Sequence, residues 1–331
     1  MNPDLIAIGH LIKETIKFSE KTMGPLLGSP AAYSSVAAAK LGVRVGIVTK
    51  IGEDMPEDLL NPLVEVNVDR RGIKVGEKTT TNLLIYDELG NKRIEYLKKA
   101  PDILFDDVPE DYLNAGIIFI CPINYEVPVK TVEAIRKNSK AILAVDLGGY
   151  GGAASSEHPG DQKFLRELVG HFGIVKASSE DCWHLLGVKE EEEKVANFFI
   201  KWGANIGIVT LGEKGCIVAA KSDEFKIPSF PAKVVDCTGA GDVYCAGFLT
   251  EYLRTKDARK SALFACATSS LVIEGTGGVT SSRMPTTSKV HKRMSKTFPE
   301  RVYGKKGCKK NLRIFNENNA GRKKWFPELV L

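Results

Sequence analysis

Six short runs of almost unbroken apolar character recur along the chain: DLIAIG (4–9), VRVGIVT (43–49), GIIFIC (116–121), KAILAVD (140–146), FGIVKA (172–177) and IGIVTLG (206–212). Short runs without polar alternation suit strands covered on both faces. Between most of them, apolar residues fall at helical spacing, as in YSSVAAAKL (33–41), VKTVEAIRK (129–137), KFLRELVGHF (163–172) and EEKVANFFIKW (192–202). Alternation of the two periods predicts an α/β fold, a mainly parallel central sheet with helices on both faces. Residues 72–100 break the rhythm: apolar and polar positions alternate around the turn signal ELGN, which predicts an antiparallel hairpin with one wet face. Such a hairpin serves as a lid, an interface or an edge excursion of the main sheet. Past 240, Cys245, Phe248, Leu249 and Tyr252 share one helical face, and a second helix follows through SALFACATSSLVI (261–273). After Pro285 the pattern decays. With no internal repeat or linker, one domain is expected over 1–288, followed by a basic tail, 289–331, that is partly disordered.

Charge changes the picture in one respect. The formal net charge is +5, yet 289–331 hold 13 Lys or Arg against 3 Asp or Glu, so residues 1–288 are mildly acidic. That argues against a nucleic-acid footprint spread over the fold. The tail's Lys pairs at 305–306, 309–310 and 323–324, near Phe315, Trp325 and Phe326, allow electrostatic binding but match no recognised motif. No apolar run approaches the roughly 20 residues of a membrane span, and DLIAIG is too short for a secretory segment, so a cytoplasmic protein with no membrane partner is expected. Seven cysteines without a C-x-x-C pair fit reduced, buried thiols. Cys182, His184 and His171 lack a second ligand pair at zinc spacing and read as core.

The segment VVDCTGAGDVYCAGFL carries the candidate chemistry. A β-branched run ends at Asp236, the small residues Gly239, Ala240 and Gly241 follow, and a helix begins near Asp242. Glycines let the backbone turn sharply and bring N–H groups close to an anion, and the helix N-terminus adds its positive partial charge. Phosphoryl transfer needs a positioned hydroxyl, a base for its proton and donors for the spreading charge. On the residues alone, two readings stay open: a glycine turn with Asp242 as a helix cap, or an anion cradle with Asp242 as a base. No G-x-x-x-x-G-K-[ST] occurs, and the G-x-G-x-x-G register fails at Tyr244.

DCTGAGD followed by an apolar helix resembles the D-T-G-A-G-D signature of the ribokinase, or PfkB, family of carbohydrate kinases. Three further segments resemble that family in order: GSPAAYSSVAAAKLG (28–42), LGVRVGIVTKIGED (41–54) and TLGEKG (210–215). The resemblance implies a ribokinase-like core with a small β lid, from about 10–26 and 72–100; the alkyl-rich face of the hairpin can also pair two subunits as a homodimer. It implies ATP and Mg²⁺ as cofactors, Asp242 as catalytic base and Gly239, Ala240 and Gly241 as anion hole. Thr210, Gly212 and Gly215 match the nucleotide turn. The family's N-x-x-E motif falls on Ser178-Ser179-Glu180-Asp181, altered at both ends; Ser178, Glu180 and Asp181 become the candidates for Mg²⁺, held through water. At the acceptor end, Glu14 stands where the family usually has an acid, Gly28 and Ser29 replace its glycine pair, and Tyr33 stands at its Asn. Asn82, on the hairpin, is a further candidate contact. The expected reaction is phosphorylation of a hydroxyl on a sugar or polyol. A nucleoside acceptor and a catalytically silent small-molecule-binding homologue are the alternatives.

Overall fold

A computed structural model describes residues 2–17, 21–86, 92–152, 161–186, 192–221 and 223–297. In chain order the strands and helices are β1 (Leu5–Ile8), β2 (Ile12–Lys17), β3 (Thr22–Gly28), α1 (Pro30–Lys40), β4 (Val45–Gly52), α2 (Asn61–Glu65), β5 (Asp69–Gly76), β6 (Thr80–Tyr86) and β7 (Lys92–Lys98). There follow β8 (Ile117–Ile120), α3 (Val129–Asn138), β9 (Ile142–Asp146), α4 (Gln162–Val169), β10 (Ile174–Ser178), α5 (Ser179–Leu186) and α6 (Glu192–Lys201). The remainder are β11 (Ile206–Thr210), β12 (Cys216–Ala220), β13 (Asp223–Ile227), α7 (Ala240–Thr255), α8 (Ala258–Val272) and α9 (Thr287–Thr297).

A nine-stranded sheet has the order β13-β12-β11-β10-β9-β8-β1-β4-β5. Pairing is parallel from β11 through to β5, and β12 and β13 close one edge as an antiparallel hairpin. All six apolar runs read from the sequence lie in the parallel part. Their apolar side chains are buried because helices cover both faces: on one, Ile6, Ile118, Leu143 and Val175 pack with Val132, Ile135, Leu165 and Phe199 from α3, α4 and α6, and on the other α1 packs against β1 and β4. The chain leaves β1 toward β4 and β5, then returns to β8 on its other side. Strand order therefore reverses at β1, and in open parallel sheets such a reversal leaves a crevice beyond the carboxyl ends of the strands.

The expected hairpin needs correcting at its start. Residues 69–76 form β5, a parallel edge strand of the large sheet, and the antiparallel pair is β6 with β7. An edge strand wets one face and so alternates like a hairpin arm: Gly72 is buried while Val75 is 65% exposed. The ELGN turn lies outside the described residues. β6 and β7 join β2 and β3 in a second, four-stranded sheet of order β3-β2-β6-β7, in which β2 runs parallel to β6.

Asp54, at the end of the LGVRVGIVTKIGED segment, ties the two sheets together. One of its oxygens accepts from the Thr79 amide (2.7 Å), and the other lies 3.1 Å from the Lys13 ammonium and 3.2 Å from that of Lys98. Burial opposes its ionisation, but these donors outweigh burial and hold the carboxyl well below the ordinary range. A depressed carboxyl contributes stability that is complete above its unfolded pKa, about 3.9, and is lost as pH falls through the folded value. Asp54→Asn is thus expected to lower Tm at pH 7 by about 2–4 °C, the response of a domain this size to roughly 1 kcal/mol. The gap to wild type should close as pH falls below about 4; a Tm at pH 7 equal to wild type would refute the clamp.

The chain divides into two compact units, Met1–Val290 and His291–Leu331. Helix α9 continues past residue 289, where the sequence pattern predicts a tail. Thr286 starts it, its hydroxyl accepting from the Lys289 amide, and Val290 is buried. In the second unit only residues 291–297, the end of that helix, are described.

Candidate active site

The carboxyl ends of neighbouring strands bring the candidate residues into line. Lys176 pairs in register with Asp146 and, two residues further on, Ser178 with Thr210, so Asp146, Ser178 and Thr210 stand at the carboxyl ends of β9, β10 and β11. The amino end of α7 lies against this rim. Ser34 on α1 donates to the Asp242 carbonyl (3.1 Å) and Ser269 on α8 to the Ala240 carbonyl (2.9 Å), which anchors the first turn of the helix from two sides.

The glycine turn has a backbone that demands its sequence. Gly239 is the N-cap of α7 at φ 77°, and a Cβ there would lie 2.5 Å from the Tyr33 ring. No other residue fits. Asp242 is therefore a first-turn residue of α7 and not its cap, which removes the plain capping reading. The N–H groups of a first turn have no partner within the helix and create a positive pole, although here the Ala240 amide is turned inward onto the Cys237 carbonyl (3.1 Å).

Behind Gly241 lies a charge that sequence reasoning missed. A Cβ on Gly241 would be 3.3 Å from the Lys176 ammonium, which is buried and bonded to Asp146 (2.8 Å). Burial alone would drive that ammonium toward neutrality; the Asp146 carboxylate more than offsets it, so the Lys176 pKa rises and the charge stays. Asp146 also accepts from the Gly148 amide (3.2 Å) and faces the Cys245 thiol. The signal was a lone Lys inside the apolar run FGIVKA.

Of the residues proposed for Mg²⁺, Ser178 and Asp181 bond each other. The Ser178 hydroxyl donates to the Asp181 carboxylate (2.6 Å) and accepts from the Asp181 amide (3.0 Å) at the start of α5. Glu180 is exposed. Asp181 instead converges with Asp146: a Cβ on Gly148 would lie 3.5 Å from an Asp181 oxygen and 3.6 Å from an Asp146 oxygen. Among the described residues no three His, Cys, Asp or Glu side chains form a ready metal cage. Two hard carboxylates without a cage suit Mg²⁺, which keeps waters and takes its other ligands from phosphates. Cys182 is buried, and burial pushes its thiol up to about 12, in keeping with its reading as core.

TLGEKG forms the turn between β11 and β12. Gly212 is exposed at φ 56° with open space around it, whereas a Cβ on Gly215 would lie 2.0 Å from the Ile227 carbonyl. Gly212 is thus free to face a ligand, and Gly215 is required by the hairpin behind it.

In the second sheet, Glu14 on β2 sits in register with Asn82 on β6, and both are buried. Asn82 donates to Glu14 (3.1 Å), while its carbonyl oxygen is buried with no hydrogen-bond partner. Gly28 admits the Glu14 carboxylate, which lies 3.1 Å from where a Cβ would be. Two of the expected acceptor residues have other work. Ser29, at φ 112°, caps α1 by accepting from the Ala32 amide (3.1 Å). Tyr33 is buried with its ring on Gly239, its hydroxyl accepting from Arg283 (3.2 Å), and burial raises its pKa.

A profile of the pfkB family carbohydrate kinases matches residues 13–286. The cytidine kinase of Thermococcus kodakarensis is 31% identical over 258 residues, covering 76% of this chain and 89% of the relative. A nucleoside kinase of Methanothermobacter thermautotrophicus is 26% identical over 317 residues, covering 88% of this chain and 96% of its own. Among solved structures, a ribokinase of Arabidopsis thaliana complexed with ribose and ATP superposes with a TM-score of 0.74 at 23% identity, over 89% of this chain and 99% of that one.

Proposed function

The chain belongs to the pfkB family of carbohydrate kinases, a phosphotransferase acting on an alcohol group, and from that premise we propose that it moves the γ-phosphoryl group of ATP to a ribose hydroxyl of a nucleoside. The observation that carries this reading is the setting of Asp242: a carboxylate in the first turn of α7, directly after a glycine turn backed by the buried Lys176 ammonium. Asp242 takes the acceptor proton as the hydroxyl oxygen attacks phosphorus in line, and ADP leaves. The Gly239 and Gly241 amides, with Lys176 behind them, oppose the charge spreading over the transferring group. Asp146 and Asp181 would hold the waters of a Mg²⁺ ion, which would supply neutralisation of phosphate charge. Thr210 and Gly212 are assigned to the nucleotide.

A nucleoside is preferred over a free sugar or polyol because the relatives above include a cytidine kinase and a nucleoside kinase. The second sheet supplies the matching chemistry: the partnerless Asn82 carbonyl oxygen seeks a hydroxyl donor, and Glu14 beside it accepts another. ADP release from full-length protein with ATP and Mg²⁺ should be measured against cytidine, uridine, adenosine, ribose, fructose and myo-inositol. Expected is a kcat/KM for a pyrimidine nucleoside about tenfold or more above that for any free sugar. The opposite ranking would move the acceptor to a sugar or polyol, and no stimulation by any compound would favour a silent binding protein.

A further inference from the structure

Arg283 lies outside every motif, yet it is the best-connected side chain around the glycine turn. Its side chain is 2% exposed, and all five of its N–H donors meet an oxygen. Nε donates to the Val272 carbonyl (3.2 Å), Nη1 to the Gly278 carbonyl (3.2 Å) and the Tyr33 hydroxyl (3.2 Å), and Nη2 to the Asp236 and Thr238 carbonyls (both 3.0 Å). The Asp236 carboxylate, 3.5 Å away, balances the charge. The Arg283 amide donates to the Thr280 hydroxyl (3.2 Å), and a Cβ on Gly275 would come within 3.2 Å of the Arg283 stem.

We propose that Arg283 is a positioning residue for phosphoryl transfer, an internal cation that sets the direction of the Gly239 amide and thereby the aim of the anion hole. The inference rests on the kinase reading above. In a planar trans peptide the C=O and N–H point to opposite sides. With the Thr238 carbonyl drawn onto Nη2, the Gly239 N–H must face away from Arg283. The same fork holds Tyr33, whose ring closes the space beneath Gly239, so turn and support are fixed by one group. Amides aimed at developing charge act mainly in the transition state, so losing the fork lowers kcat more than it raises either KM.

The test uses the full chain with ATP, Mg²⁺ and the acceptor preferred in the panel. Arg283→Ala should lower kcat about 100-fold with both KM values within about threefold. Added guanidinium ion at millimolar concentration should recover part of that kcat and raise the Tm of the variant, while doing neither to wild type. Arg283→Lys, which keeps the charge but has three donors, should fold and show a kcat about tenfold below wild type. A kcat within about threefold of wild type in either folded variant would overturn the proposal. So would a guanidinium-restored Tm without any gain in kcat, since that marks a purely structural part. If Arg283→Ala does not fold, the Arg283→Lys kinetics decide alone. Inactive wild type across the whole panel is a different result, the failure of the kinase reading, and the Tm response then still shows whether a guanidinium site exists.

Discussion

Asp242→Asn is expected to give a folded protein that binds ATP almost as wild type does but transfers phosphate about 10²–10⁴-fold more slowly, the range contributed by a positioned general base. The two side chains have nearly the same shape, so packing against α1 and α8 is retained. What changes is that a carboxamide cannot accept the proton of the attacking hydroxyl. The substitution also removes a negative charge from the first turn of α7, a loss of about 0.3–1 kcal/mol from its interaction with the helix dipole, too small to unfold the domain. Calorimetric titration with ATP and single-turnover kinetics with the preferred acceptor separate binding from chemistry. Turnover close to wild type would remove Asp242 from the proton's path.

The largest effect on stability should come from Lys176→Met. Methionine fills most of the volume but leaves the Asp146 carboxylate buried, with the Gly148 amide and the Cys245 thiol as its nearest remaining donors. Breaking a buried pair from one side costs about 3–5 kcal/mol because an uncompensated charge stays behind. Asp146→Asn in the same chain should recover a large part of it, and that recovery distinguishes charge from packing. Urea unfolding of the two single variants and the double variant gives the coupling directly. A loss below about 1 kcal/mol for Lys176→Met would mean that Asp146 takes up a proton or another donor at little cost.

The sequence and the structure agree best where local pattern decides the outcome. The strands of the parallel core could be read because a strand covered on both faces has no room for polar residues, and β1, β8 and β9 are such strands. β5 could not be placed, since its alternation expresses an edge of the large sheet and looks the same as a hairpin arm. Around the site, the turn at 239–241 was legible because Gly239, at φ 77° and with the Tyr33 ring 2.5 Å from where a Cβ would be, admits only glycine. Ser29 and Tyr33 were assigned to the acceptor by position in a motif, but their contacts depend on other segments: a free amide in the first turn of α1 for Ser29, and Gly239 and Arg283 for Tyr33. Arg283 illustrates the limit of local pattern. Its partners are Tyr33, Asp236, Thr238, Val272 and Gly278, brought together only by the fold, and nothing adjacent to it in the chain marks it.

The position of β1 has a consequence for how the molecule is made. It lies inside the large sheet, between β4 and β8, and the continuation of its chain, β2, pairs with β6. During synthesis β1 and β2 emerge well before β6 and β8, so the apolar stretch LIAI leaves the ribosome tunnel with one edge unprotected until Ile117–Ile120 follows. Long-range parallel pairing of this kind forms late and exposes aggregation-prone edges meanwhile. The segment that joins the two sheets is therefore also one whose edge is closed only by chain made much later.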